Sequence, residues 1–527
     1  MTMTDAQTES GFDVLDKGLK PGALGLLSST VVALASVAPA YSLAATIGFV
    51  VIAVGLQAPV IMILAFIPMY CVAVGYRELN HAEPDAGTTF TWATRAFGPK
   101  TGWMGGWGIV AADVIVMANL AAIAGSYFFL LFNADGIASQ LFWPTVVGVG
   151  WIILMTYICY IGIEISARIQ YALLGIELFV LGLFSVVALV RVYTGHAVAT
   201  SIHPSLSWFN PFNIGSFGAL ATGMLLAVFI YWGFDTALSI NEETKDARKT
   251  PGRAAVMATF VLLGVYVLVT TATQAFAGDG HKGIGLHNAH NANDVFSVLG
   301  RAVFGDSAFG SFAVHLLILM VLSSAAASTL TTILPTARTT LSMAVHKAIP
   351  DKFARVSARY MTPTWSTVGM GMASIGFYVA FTAISGNLLA DTIASIGLLI
   401  AFYYGMTGFA APVFYRHTLT SSVRNFVTRG VIPVLGGLIL LAAFLQAAHD
   451  YWLAGPHADS YTSWTMPFAP HWQIGGIFLT GVGSLALGVV LMIITWIAMP
   501  AFFRGETLPK RTAEQLESYV VPQEVQG

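Results

Sequence analysis

Twelve apolar runs leave this 527-residue chain one class of fold. They lie near residues 25–55, 57–78, 100–130, 143–162, 168–193, 214–240, 252–277, 310–343, 363–384, 388–414, 428–449 and 475–503. A helix needs about 20 apolar residues to cross the hydrocarbon layer of a bilayer, so each run suffices. Inside that layer no water satisfies the peptide groups, and an α-helix satisfies them within a single segment. The chain is 56% hydrophobic and 9% charged, against about a quarter charged in soluble domains. The sequence therefore predicts an all-α integral membrane protein with twelve transmembrane helices, the lipid bilayer as its main partner and no soluble domain. The first, third and eighth runs exceed what the bilayer needs and should tilt, break or project into water.

Positive charge sets the expected orientation. With the N-terminus inside, 21 of the 24 Lys and Arg residues fall on inner ends and loops, and Arg191, Lys282 and Arg301 fall outside. Adding or removing one span scrambles this partition, so it supports the count as well as the direction. Both termini are expected on the cytoplasmic side of the cell membrane, with polar tails at 1–24 and 504–527. Residues 1–24 hold no apolar core of a cleaved leader. Cys71 and Cys159 lie inside apolar runs and read as small buried hydrophobes. The longest connection, Gly278 to about Phe309, carries His281, His287 and His290 without tight ligand spacing, and reads as a polar outer loop rather than a metal site. A net charge of −2 offers nothing to nucleic acid.

Two runs carry built-in weak points. Pro39 stands in the middle of GLLSSTVVALASVAPAYSLAATIG, beside Ser36, Tyr41 and Ser42. Proline removes an amide donor and clashes with the preceding turn, so the first helix should break there. The sixth run has its own weak point at Trp232-Gly233-Phe234. Each alone is compatible with an ordinary kink or a packing glycine. Their matching positions, five spans apart, point to a midplane site in an inverted-repeat transporter.

Three carboxylates lie deep in apolar helix with no Lys or Arg at similar depth: Asp113 in the third run, Glu177 in the fifth and Asp235 in the sixth. An unpaired charge at the bilayer centre costs on the order of 2.5–3.5 kcal/mol, and taking a proton or holding a cation removes that cost. Neighbouring hydroxyls can satisfy one such acid; three together point to proton or cation handling. In the eighth run, Ser323, Ser324, Ser328 and Thr329 suit close helix packing, with ion or substrate contact as the alternative. Phe229, Tyr231 and Trp232 flank the second break, where they fill core or close over a cationic ligand. No nucleophile–base pair, metal quartet or phosphate-cradling loop stands in the sequence, so neither an enzyme nor a cofactor is expected.

Four segments resemble the amino acid–polyamine–organocation superfamily of permeases, over essentially the whole chain. They are PDAGTTFTWATRAFGPKTGWMGGW (84–107), GFDTALSINEETKDARKTPGRA (233–254), STLTTILPTARTTLSMAVHKAIPDKFARV (328–356) and the Pro39 break. The resemblance implies the leucine-transporter architecture. Two five-helix inverted repeats would occupy 25–193 and 214–414, and two peripheral helices 428–503, with the first and sixth helices discontinuous. It implies a substrate site lined by Ser36, Val37, Ala38, Pro39, Ala40 and Tyr41 on one break and by Tyr231, Trp232, Gly233 and Asp235 on the other. The family's occluding aromatic falls on Phe229. In proton-coupled members a fifth-span lysine replaces a sodium ion, and that position falls on Glu177, which reverses the charge: it carries a proton or helps hold a cation. Many amino-acid members place a Gly-Ser-Gly-type turn in the first span, whose free amides take the substrate carboxylate. Here Ser36-Val37-Ala38-Pro39-Ala40 has fewer donors, which looks more like the amine and putrescine importers of the superfamily.

The expectation is a secondary-active permease that imports an amino acid or organic amine, coupled to protons through Glu177, with Asp235 or Asp113 facing the substrate ammonium. Ser324 and Ser328 are further candidates for ion or helix contact. An exchanger without proton coupling and a permease-like sensor are the alternatives.

Overall fold

The computed structural model describes residues 17–453 and 461–510, apart from the side chains of Glu164 and Ile165. Most of the two tails, Arg511 included, lies outside the described residues. The first run folds as two helices, α1 (Leu26–Val37) and α2 (Pro39–Val54), and the second as α3 (Ala58–Ala82). A connecting helix α4 (Thr89–Phe97) leads into α5 (Pro99–Leu131), α6 (Asp135–Ala138), α7 (Phe142–Ile161) and α8 (Ile163–Tyr193). The sixth run is again divided, into α9 (Phe217–Tyr231) and α10 (Thr236–Ser239). There follow α11 (Thr250–Ala277), α12 (Val295–Phe304), α13 (Ala308–Val345), α14 (Thr364–Ile384) and α15 (Leu388–Phe414). The short α16 (Val423–Asn425) and a π-helical turn lead to α17 (Ile432–Asp450), then α18 (Gly476–Ala498) and α19 (Pro500–Phe503). Between α17 and α18, β1 (Ser463–Thr465) pairs antiparallel with β2 (Gln473–Gly475), with Trp464 opposite Ile474.

Ten segments among the described residues are long and apolar enough to cross a membrane. This differs from the expected twelve for two physical reasons. The first two expected runs count together as Leu26–Ala82, because only the three-residue turn Gly55–Gln57 separates α2 from α3. The sixth run does not count because its break leaves α9 only 15 residues long. The third and eighth runs become helices of 33 and 38 residues, longer than a bilayer requires. The most apolar window of α15 is 83% buried and that of α18 only 22%. The tenth run is therefore core and the last is rim, with Leu487, Val490, Ile494 and Ile497 facing outward. α13 packs along α5 and α8, α11 along α3 and α1, and α15 along α17 and α5. Helices α4 and α12 form in connections where no span was expected. α12 is started by Asp294, whose carboxylate accepts from the Ser297 amide at 3.2 Å.

Candidate substrate site where two helix breaks meet

The first break is one residue wide. Ala38 takes a left-handed conformation (φ 49°, ψ 65°) and Pro39 opens α2 as its first residue. Proline suits that place, because its missing N–H is one that a helix start leaves without an intrahelical partner. The next two amides do need partners in a dry interior, and side chains supply them. The Ala40 N–H donates to Glu177 Oε1 at 2.6 Å, and the Tyr41 N–H to Ser324 Oγ at 3.1 Å. The Ser324 hydroxyl in turn donates to the same Glu177 Oε1 at 2.7 Å. A carboxylate from α8 therefore caps the positive end of α2, a placement worth up to about 2 kcal/mol when partly buried. Its other oxygen, Oε2, is buried without a hydrogen-bond partner among the described residues. On the α1 side, the Ser36 carbonyl accepts from Ser328 Oγ at 3.1 Å, and the Val37 carbonyl from Ser42 Oγ at 2.7 Å.

The second break runs from Trp232 to Asp235. Trp232 is extended (φ −72°, ψ 143°) and Gly233 has φ +119°, a conformation side chains rarely adopt. Here the two breaks touch. A Cβ on Gly233 would stand 2.9 Å from the Ser36 carbonyl carbon and 2.9 Å from its Oγ, so glycine is required twice over. Ser36 Oγ and Thr236 Oγ1 hydrogen-bond across the contact at 2.7 Å. The unwound stretch is held from α15: the Tyr404 hydroxyl donates to Asp235 Oδ1 at 2.8 Å and the Tyr403 hydroxyl to Oδ2 at 3.2 Å. The Trp232 indole N–H donates to the Tyr403 oxygen.

A small cavity of about 10 Å³ opens beside this contact, lined by Ser36, Asp113, Trp232, Gly233, Asp235, Thr236, Thr332 and Pro335. No Lys, Arg or His is in the lining. Asp113 is 2% exposed and accepts from the Thr336 hydroxyl through Oδ2. Among the described residues no donor reaches its Oδ1. Of the expected site residues, Ser36, Trp232, Gly233, Asp235 and Asp113 meet at this cavity. Glu177, Ala40 and Ser324 lie together at the start of α2, and Ser328 holds the end of α1, all outside its lining. Val37, Ala38 and Pro39 shape the break without lining the cavity. Tyr41 hydrogen-bonds to Asn119, which donates to Thr392 at 2.8 Å. Tyr231 turns to α3, donating to the Met62 carbonyl at 3.0 Å and packing edge-on against Tyr266. Phe229 is buried one turn before the break and is not in the lining. Sequence reasoning missed Thr236, Thr332, Pro335 and the two tyrosines. The adjacent Tyr403-Tyr404 pair within an apolar run was the available signal.

A second cluster of charge gathers at the other end of the sixth run. Lys17 Nζ lies 2.8 Å from Asp85 Oδ2 and 2.5 Å from Glu242 Oε1, with its side chain fully buried. Asp85 Oδ1 also accepts from the Gly87 amide at 2.7 Å and from the Thr91 and Ser342 hydroxyls at 2.8 Å. Arg338 forks onto Glu243 at 2.7 and 3.0 Å, both side chains buried. The backbone joins in: the Leu24 N–H donates to the Glu243 carbonyl at 3.1 Å, and the Lys245 N–H to the Leu24 carbonyl at 2.7 Å. Burial alone would push the Lys17 ammonium down; the Asp85 and Glu242 charges overcome it and hold it above its ordinary range. Burial works to raise Asp85, yet the charge of Lys17 and the hydrogen bonds around it hold this acid well below the usual carboxylate range. Glu242 is the weaker acid of the pair: burial raises it, and Asp85 adds to what Lys17 opposes.

A family model described as amino acid permease matches residues 24–479. An uncharacterized transporter of Mycobacterium bovis is 25% identical over 425 residues, 80% of this chain and 85% of the relative. The low-affinity putrescine importer PlaP of Escherichia coli K12 is 22% identical over 398 residues, 75% and 82% of the two chains. The branched-chain amino acid permease BcaP of Bacillus subtilis is 22% identical over 423 residues, 74% and 80%. Among solved structures, MhsT in complex with L-phenylalanine matches with a TM-score of 0.58 at 15% identity, covering 81% of this chain and 99% of that one. That likeness speaks for the fold alone: a leucine-transporter arrangement, whose discontinuous first and sixth helices are the two breaks described above. Family and fold both point to a multi-pass membrane transporter of small molecules rather than an enzyme. With a match that spans both breaks, the chain belongs to the amino acid permease family of the amino acid–polyamine–organocation superfamily.

Proposed function

We propose that this protein imports an amino acid or organic amine across the cytoplasmic membrane by alternating access, driven by protons. One observation carries the reading: the cavity at the meeting of the two breaks is walled by two carboxylates and by no cationic side chain. In a region of low dielectric, an ammonium group is what such a cavity accepts. Asp235 and Asp113 face that ammonium, and the Trp232 ring covers it. Glu177 is the proton carrier. Its Oε1 stays engaged with Ala40 and Ser324, which fixes the carboxyl group in place, while the partnerless Oε2 is the position a proton takes or leaves. In this reading both termini and the Lys17–Asp85–Glu242 cluster face the cytoplasm, which the positive charge distribution supports. An inward potential of 100 mV adds about 2.3 kcal/mol per positive charge imported. Residues 25–193 and 214–414 form the two repeats that rock against each other, and 428–503 the peripheral pair.

The test is uptake by purified protein in sealed vesicles, with and without an imposed pH gradient. Saturable uptake of an amino acid or amine that rises with inward proton drive and is lost in Asp235→Asn supports the proposal. Uptake unaffected by neutralising Asp113, Glu177 and Asp235 together overturns it. Equal flux with and without the gradient, with Glu177→Gln still active, identifies exchange instead.

A further inference from the structure

Resting on that transport reading, we infer that the substrate is an organic amine that bears no carboxylate. A carboxylate entering a dry cavity needs replacements for its lost water: amides at a helix start, or a Lys or Arg side chain. The cavity lining has no Lys, Arg or His, which leaves the amides of the two breaks and the neutral hydroxyls of Ser36, Thr236 and Thr332.

At the first break these amides are already used. The Ala38 N–H donates to the Ala35 carbonyl at 3.2 Å, Pro39 has none, and the Ser42 N–H closes onto the Ala38 carbonyl at 2.8 Å. The Ala40 N–H holds Glu177 at 2.6 Å and the Tyr41 N–H holds Ser324 at 3.1 Å. The positive end of α2, where an anionic substrate group would seat, is filled by the protein's own carboxylate. At the second break the Trp232 N–H donates to the Phe229 carbonyl at 3.1 Å, the Gly233 N–H to the Tyr404 hydroxyl at 3.4 Å, and the Thr236 N–H to the Gly233 carbonyl at 3.1 Å. The amides of Phe234 and Asp235 remain. They belong to or adjoin the residue that bears the Asp235 carboxylate, so an anion reaching them meets a like charge.

The cavity itself is rich in acceptors. Asp113 and Asp235 both line it, and Asp113 Oδ1, on a side chain 98% buried by its 2% exposure, has no donor among the described residues. The chemistry that fits is a cationic nitrogen on an apolar or doubly cationic skeleton. A zwitterion satisfies the acids with its ammonium but brings a second charge for which the lining offers no cation, only neutral hydroxyls, of which Ser36 and Thr236 already bond each other.

The experiment compares amino acids with their own decarboxylated products, so that size and ammonium are matched. Thermal stabilisation of the full-length protein in lipid nanodiscs is measured with putrescine against ornithine, and with isoamylamine against leucine. Each amine is expected to stabilise at a concentration on the order of tenfold lower, or more, than its parent acid. Equal or better stabilisation by ornithine or leucine overturns the inference while leaving the transport reading intact. Failure of all four compounds, together with no uptake of any of them in vesicles, sinks the transport reading and this inference with it. Two variants locate the cause. Glu177→Gln keeps an acceptor for the Ala40 amide and should preserve the gap between amine and acid; Glu177→Ala empties that amide and should narrow it. A gap that Glu177→Ala leaves unchanged overturns the assignment, and if Glu177→Ala fails to fold, the matched pairs on the native protein decide alone.

Discussion

Two sets of acids withdrawn from solvent, one around Asp235 and one around Glu242 and Glu243, are solved in opposite ways. Glu242, Glu243 and Asp85 each face a cation from a distant segment, Lys17 or Arg338, at 2.5–3.0 Å. Asp235 and Asp113 face hydroxyl groups, and Glu177 a hydroxyl and one amide. Both sets lie largely out of solvent, Glu242 being partly buried and the rest buried, so burial does not separate them. What stands opposite does. The first set is neutralised by folding itself and becomes a fastening. The second keeps acceptor capacity that no cation of the fold takes up, and the transport proposal rests on that difference.

The largest blow to the first set is Arg338→Met. It leaves Glu243 buried and unpaired, at an expected cost of about 3–5 kcal/mol, read as denaturant or thermal stability in detergent. The double variant Arg338→Met/Glu243→Leu should recover most of that loss, since neither charge then remains. A single-variant cost below about 1 kcal/mol would erase the contrast. Next comes Asp235→Asn. Uptake is expected to fall on the order of 100-fold, about 2.7 kcal/mol, with stability unchanged or improved because an unpaired acid has been removed. If stability drops as it does for Arg338, the two sets are not different in kind. Gly233→Ala should follow, at about 1–3 kcal/mol, because the new Cβ strikes the Ser36 backbone at 2.9–3.0 Å. Tyr404→Phe removes one hydrogen bond to Asp235 and should cost about 1 kcal/mol, several-fold in apparent substrate affinity.

The smallest effect should come from pH acting on the paired set. Asp85 lies below its unfolded value, so its contribution is present above about pH 4 and is lost only as pH falls through the folded value. Lys17 lies above its own, so its contribution is present below about pH 10 and is lost as pH rises further. Between those limits both are constant. Glu242, raised, contributes fully at low pH and progressively less as pH climbs through its folded value. Thermal stability should therefore show a shallow decline from about pH 4 upward, which Glu242→Gln removes. A steep fall near neutrality would place a stronger titration in this cluster than its partners allow.

The contrast also explains what could be read from the chain beforehand. The breaks were legible because Pro39 and Gly233 disturb a helix through their own covalent chemistry, whatever surrounds them. Asp113, Glu177 and Asp235 were legible because charge is rare in apolar runs. The division of labour among them was not: that Asp113 joins Asp235 at the cavity while Glu177 seals the start of α2 depends on how three helices rotate about their axes. Tyr403, Tyr404, Thr332 and Thr336 were passed over because tyrosine and threonine are ordinary in membrane helices. Tyr231 was placed with the site because it adjoins the break, yet α9 ends with that side chain turned toward Met62. The pairing of Lys17 with Asp85, 68 positions along, is tertiary, and local pattern carries no trace of it.

The backbone clasp between Leu24 and residues 243–245 has a mechanical consequence. It stitches the near ends of α1 and the α10 segment into one strap, so the two severed helices share a single handle below the chamber. A tug on the leading segment at Lys17 reaches Ser36 along one arm and Asp235 along the other, in step. Any displacement of the leading segment is therefore shared by both severed helices.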